Sequence, residues 1–319
     1  MKRTRRHDAG LLILLLLAVA ASASPGCLWL RRNRHADGPL PPPALAPHPS
    51  LADVIEAVNG NTRSVHQLQS EGASLRIVGV PPTLSAELVV ERPRRIRLTA
   101  QVSRLTGKEL DLGSNDQRFW LWVRRNPEPA VFYARHDQFA RSNAAQWLSV
   151  NPVWLLDALG MTQLDPNAAH EGPIPRPSGE IELRTKLHTP RGVWTRVLVV
   201  DGRYGWVLEQ HLYDQVGRLI ASSVADRFRY YEQHQASLPH SVRIRLNPDQ
   251  PAELEMELSV VRYQINQLIG NPDLLWQQPQ IDGAPPVDVT APGFVPQMLA
   301  PAPQGVPTTA RWTGPGLRR

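Results

Sequence analysis

From Ala73 onward, one segment after another alternates apolar and polar residues with a period of two. Ala73, Leu75 and Ile77 form the first such set, and Leu84, Ala86, Leu88 and Val90 the second. Ile96, Leu98, Ala100 and Val102 follow, with Arg95, Arg97, Thr99 and Gln101 between them. Successive side chains of a strand point to opposite faces, so these segments read as half-buried antiparallel strands. Phe119, Leu121 and Val123 alternate with Trp120 and Trp122, which predicts a strand covered on both faces. Further strands are expected over 181–187, 193–200, 204–213, 219–230, 242–246 and 254–261. Thr189-Pro190-Arg191-Gly192, Asp201-Gly202 and Asp214–Gly217 supply turn chemistry between them. A meander of neighbours is the simplest topology.

A long sheet needs cover, and few helical patterns are available to give it. Ser50 with Asp53 resembles a capping box before Leu51, Val54, Ile55 and Val58, which have helical spacing. Asn151-Pro152 reads as a cap with proline at the first helical position, and Val153 to Leu159 continue to Gly160. A proline-rich stretch over 165–178 reads as a loop. The expected fold class is α+β, with an antiparallel sheet covered by a few helices.

The two ends differ from this pattern. Lys2, Arg3, Arg5 and Arg6 precede an apolar run from Leu11 to Ala23, and Gly26-Cys27 follows. The run is short for a membrane span and has the layout of a signal peptide. Cys27 is the chain's one cysteine, so an exported domain would be held together by burial without disulfides. The expected organisation is a signal peptide over 1–26, a proline-rich tether over 27–49, a folded domain over 50–277 and a disordered proline-rich tail over 278–319. The net charge is +6, and removing Lys2, Arg3, Arg5, Arg6 and Asp8 takes three units away. That mild balance gives no stripe of the kind that tracks nucleic acid. Arg31, Arg32 and Arg34 lie where they would meet anionic headgroups if Cys27 were anchored.

Signals for chemistry are weak. Asp111 to Asp116, the most polar cluster, reads as hairpin-loop composition beside the aromatic strand, and only secondarily as a carboxylate pair. The histidines lack paired ligand spacing, and no phosphate-binding glycine loop is present. No metal, cofactor or catalytic residue is expected. Arg97 faces away from Ile96 and Leu98 along its strand. It is read chiefly as solvent-exposed, with a headgroup- or lid-binding role as the alternative.

The order of elements resembles the periplasmic lipoprotein carriers and outer-membrane lipoprotein receptors of the LolA and LolB type. The residues that carry the resemblance are Glu91-Arg92-Pro93 before Ile96-Arg97-Leu98, Asn115-Asp116 before Phe119–Trp122, and Leu238-Pro239 before Val242-Arg243-Ile244. It spans roughly residues 50–271. Gly26-Cys27 similarly resembles the processing site of bacterial lipoproteins, which implies lipid attachment at Cys27. The resemblance implies a curved, incomplete barrel enclosing an apolar cavity for acyl chains. Candidate lining residues are Leu88, Val90, Arg97, Leu98, Ala100, Phe119, Leu121, Leu183 and Val199. Gly79–Pro82 and Leu105–Gly107 are two candidate positions for the receptors' protruding apolar loop.

The expected function is a lipid-anchored envelope protein, on the outer membrane facing the periplasm. It would bind an apolar ligand, a lipid or the acyl chains of lipoproteins, and take part in lipoprotein sorting. A non-catalytic scaffold for an envelope protein partner is the alternative, and an envelope hydrolase is a third reading. No nucleic-acid partner is expected.

Overall fold

The computed structural model describes residues 35–292 and 294, except 104, 128, 143, 145–152 and 251–252. Cys27, the signal-like segment and the Asn151-Pro152 cap lie outside the described residues. Helix α1 (Leu51–Asn61) starts with the expected capping box: the Asp53 amide donates to Ser50 Oγ at 3.2 Å, and the Ser50 amide donates to the Asp53 carboxylate at 2.8 Å.

A first run of strands follows: β1 (Gln67–Ile77), β2 (Val80–Glu91), β3 (Arg95–Gln101), β4 (Lys108–Ser114), β5 (Arg118–Val123) and β6 (Val131–Arg135). Two short helices, α2 (His136–Phe139) and α3 (Trp154–Ala158), precede β7 (His170–Pro175), β8 (Glu180–Thr189) and β9 (Gly192–Asp201). The chain continues through β10 (Val207–Tyr213), β11 (Leu219–Tyr231), β12 (Ala236–Leu246), β13 (Leu254–Ile265), α4 (Pro272–Leu275) and β14 (Pro286–Asp288).

All these strands form one sheet, in the order β14-β6-β5-β4-β3-β2-β1-β13-β12-β11-β10-β9-β8-β7. Strands β1 to β6 and β7 to β13 are each a meander, and the two join where β1 pairs antiparallel with β13, Leu68 opposite Ile265 and Leu75 opposite Leu258. The end strands β14 and β7 do not pair with each other, so the sheet is curved but unclosed.

Two proline-rich stretches depart from expectation. Residues 165–178 contain β7, and the segment after 278 contains β14, which pairs parallel with β6. Both are edge strands, where a missing N–H faces away from the ladder and proline is tolerated. Before β14, Ile281 and Ala284 pack on Trp120, Trp122 and Val131, so this part of the tail is a strap across the outer face. The tether is also engaged: Ala36 bridges to Phe228, and Leu45 is buried against α1's cluster.

A buried polar hub locks β11, β12 and β13. His240 is fully buried; its Nδ1 donates to the Val260 carbonyl at 2.7 Å, and its Nε2 accepts from the Tyr231 hydroxyl at 3.0 Å. That arrangement uses neutral imidazole, and burial pushes the pKa down to about 4. The unfolded chain takes up a proton near pH 6.5 and the native state does not until about pH 4. Stability should therefore fall between those values as pH drops, by about 3 kcal/mol in total from this group. Denaturant titrations of wild type and His240→Gln measure it: the variant should lose this slope. An identical slope in the variant would exclude His240 as its source.

Candidate functional site

Register divides the sheet into an inner face, which α1, α2 and α3 cover, and an outer one. Leu88, Leu98, Leu112, Leu121 and Phe132 stand opposite one another across β2 to β6. Val90, Ile96, Ser114, Phe119 and Ala134 form the next row, and Ala86, Ala100 and Leu110 another. Directly paired residues share a face. Leu88, Val90, Leu98, Ala100, Phe119 and Leu121, all chosen from alternation, therefore do lie on one inner face.

What alternation missed is how that face is filled. Leu155, Leu156 and Ala158 of α3, with Leu159 and Met161 just after it, are buried among Leu88, Val90, Leu98, Ala100, Val242 and Leu258. Helix α3 stops at Gly160, whose φ of +81° suits glycine, and whose missing Cβ leaves room for Pro239; a Cβ would approach the ring to 2.9 Å. Phe119 is covered separately by α2, with Phe119 and Phe139 edge to face at 4.9 Å. Leu183 lies on the inner face under α1, packed with Val54, Ile55, Val58, Leu198 and Val200. The inner face is therefore a filled cup with a helix of one and a half turns as its stopper. Two open clefts lie elsewhere: one of about 470 Å³ beside α1, lined by residues such as Asp53, Glu56 and Tyr230, and one of about 250 Å³ near Arg191 and Asp214.

Two candidates face the other way. Val199 is opposite Glu182 and Glu209 in the ladder, while Leu198 takes the inner position beside Leu183. Adjacent residues of a strand point to opposite faces, so Leu183 and Val199 cannot line one cavity. Arg97 is opposite Val89 and Gly113, on the outer face. It is not free in solvent either. Arg97 Nη2 and Nε donate to Asp111 at 2.8 and 3.2 Å, and Nη1 donates to the carbonyls of Leu274 and Leu275 at the end of α4.

Asp111, expected in a hairpin loop, lies in β4 and is fully buried. Besides Arg97 it accepts from Lys108 Nζ at 3.0 Å and from the indole N–H of Trp120 at 3.1 Å. Burial alone would push its carboxyl up; the hydrogen bonds and charges of Arg97, Lys108 and Trp120 outweigh that and hold it below the usual carboxylate value. Gly113 makes the network possible, because a Cβ there would stand 2.2 Å from the Trp120 ring. Asp116 lies in the following turn and pairs with Arg95 at the surface. The two carboxylates serve separate structural pairs. Among the described residues no three His, Cys, Asp or Glu side chains group to hold a metal ion.

A tie from the sheet reaches the segment after α3. Arg92 donates to the Thr62 carbonyl at 2.9 Å, to Thr62 Oγ1 at 2.8 Å and to the Met161 carbonyl at 3.1 Å. It joins the end of β2 to the residues after α1 and after α3, the two elements that cover the inner face.

No family model matches the chain, and no curated protein matches it. Solved structures similar to it include a domain described as an outer membrane lipoprotein-sorting protein, from Vibrio parahaemolyticus, at 10% identity and TM-score 0.46, covering 70% of this chain and 98% of that one. A LolA superfamily protein from Nitrosomonas europaea follows at 9% identity and TM-score 0.44, covering 71% and 96%. A DUF1329 family protein from Desulfovibrio piger gives 10% identity and TM-score 0.44, covering 71% and 97%. At TM-scores below 0.5 these likenesses carry no argument, and the fold rests on the strand order and register above.

Proposed function

We propose that this protein is a lipid-anchored envelope protein that binds an apolar ligand, a lipid or the acyl chains of lipoproteins, on the inner face of its sheet. The observation that carries the reading is the stopper. The curved sheet presents an apolar inner face over β1 to β3, β12 and β13, and what fills that part is a five-residue helix, α3, with the residues just after it. So short a helix has little stability of its own and holds its place by side-chain packing. An acyl chain offers the same apolar contacts and can take its place.

A fluorescent fatty-acid probe tests the reading. Binding at micromolar concentration, with displacement by unlabelled fatty acid, is expected; a folded protein that binds no probe would contradict it. A second reading, a scaffold that holds a protein partner at the membrane, is favoured by the filled cup together with Leu105, which is 99% exposed at the β3–β4 turn. The same titration separates the two. In either reading the role is binding rather than turnover.

The anchor belongs to the same proposal. Its support is the charged N-terminal region, the apolar run and the single cysteine at position 27. Several acyl chains, at about 0.8 kcal/mol per buried methylene, give stable anchoring. Cys27→Ser should move the protein from the membrane fraction to the soluble fraction, as read by fractionation and blotting. Unchanged membrane retention, or an intact Met1 in the mature chain, would contradict lipidation.

A further inference from the structure

The inner face of β8 to β11 is not uniformly apolar. Register places Thr185, Arg196, Leu212 and Ala221 in one row, and Leu183, Leu198, Gln210 and Ser223 in the next. Arg196 and Gln210 are thus diagonal neighbours on adjacent strands, flanked by Leu198 and Leu212. Gln210 is 1% exposed, and neither end of its amide has a hydrogen-bond partner. Arg196 Nε is buried and unpartnered as well, and its Nη2 comes no nearer than 3.4 Å to Asp157 Oδ2 on α3. The indole N–H of Trp154 is a third buried donor without an acceptor. Its ring, on α3, packs against both the cluster around Leu98 and the one around Leu212, so it lies over this part of the floor.

Native proteins pair nearly all their buried polar side chains, so two unmatched neighbours on the floor, with a third unmatched donor on the helix above them, require an explanation. Charge is sparse as well: Asp157 lies 3.4 Å from Arg196 and also faces the charge of Arg92, one carboxylate between two guanidinium groups. Unused N–H donors, an excess positive charge and leucine walls describe a receptor for an oxyanion attached to an apolar chain.

We propose that Arg196 and Gln210 form the head-group subsite for an amphiphile whose head is a carboxylate or a phosphate, with its chain along Leu198 and Leu212. This rests on the apolar-ligand reading and narrows it to ligands with a negative head.

Calorimetric titration with dodecanoate, dodecyl phosphate, dodecanol and inorganic phosphate tests it on the wild type, Gln210→Leu and Arg196→Gln. Wild type should bind one or both anionic amphiphiles at least about tenfold more tightly than dodecanol, the margin of one charge-assisted hydrogen bond. The preferred one identifies the head. Both variants should lose that preference and keep the dodecanol affinity. Gln210→Leu should also melt no lower than wild type, because it removes an unpaired amide and remains a usable test if Arg196→Gln folds poorly. Equal affinity of wild type for dodecanol and the anions would overturn the head-group subsite and leave the apolar-ligand reading standing. So would a preference kept in folded Gln210→Leu, or inorganic phosphate binding as tightly as dodecyl phosphate. Absence of binding by all three chains would overturn the apolar-ligand reading itself.

Discussion

Leu156→Ala will make the protein less stable and its acyl-probe binding tighter. Leu156 is 4% exposed in the cluster that joins α3 to the sheet. Truncating a buried leucine costs about 2–5 kcal/mol, depending on how far the site collapses. A ligand that must displace α3 competes with that packing, so weakening it raises the fraction of molecules able to bind. A shift of about 2 kcal/mol corresponds to more than tenfold in apparent affinity. Urea denaturation gives the first quantity and probe titration of the folded variant the second. An ordinary core leucine would give only the loss of stability. Destabilisation with unchanged or weaker binding would therefore show that α3 is a fixed part of the core.

The second large effect is at Asp111. Asp111→Ala leaves Arg97 partly buried with its carboxylate partner gone, and breaking a buried ion pair from one side costs about 3–5 kcal/mol. The damage should be concentrated in the strap, because Arg97 also holds the last carbonyls of α4, and Asn115 donates to the Trp276 carbonyl at 3.0 Å. Limited proteolysis should accordingly cut after Ile265 in the variant much sooner than in wild type. The pH dependence has a definite sign. The native carboxyl is held below its ordinary value, so its contribution is complete above the ordinary carboxylate range and is lost as pH falls through the lower native pKa. Asp111→Ala should flatten stability against pH below about 4. If stability and strap protection are unchanged, the network is ornamental to the fold.

The alternating strands were legible because one face of each is buried and the other is not. Leu88, Val90, Leu98 and Ala100 fall on one face for that reason alone, and Ser50 with Asp53 marked the first helix through its cap. Strand β4 was not legible. Asp111, Gly113 and Ser114 are turn residues by local preference, and only partners distant in sequence make them strand residues: Arg97 for the charge and the Trp120 ring for the space above Gly113. Val199 failed for a different reason. It is buried, but a strand apolar on both sides gives no parity signal, and the register to Leu183 decides the face. The edge strands β7 and β14 were hidden by their prolines, which composition reads as loop and an edge accepts. The helix over Val153 to Leu159 was legible as an element, but its place inside the sheet was not, since periodicity does not say which partner an apolar face will meet.

The most direct test of the central claim is mass spectrometry of small molecules released from the full-length protein after native extraction from its own membranes. A molecule bearing an acyl chain, near one per protein and absent from a control membrane protein purified in parallel, is the expected result. A folded protein that carries no such molecule, and takes up none when incubated with the total lipids of its own membranes, would contradict the account.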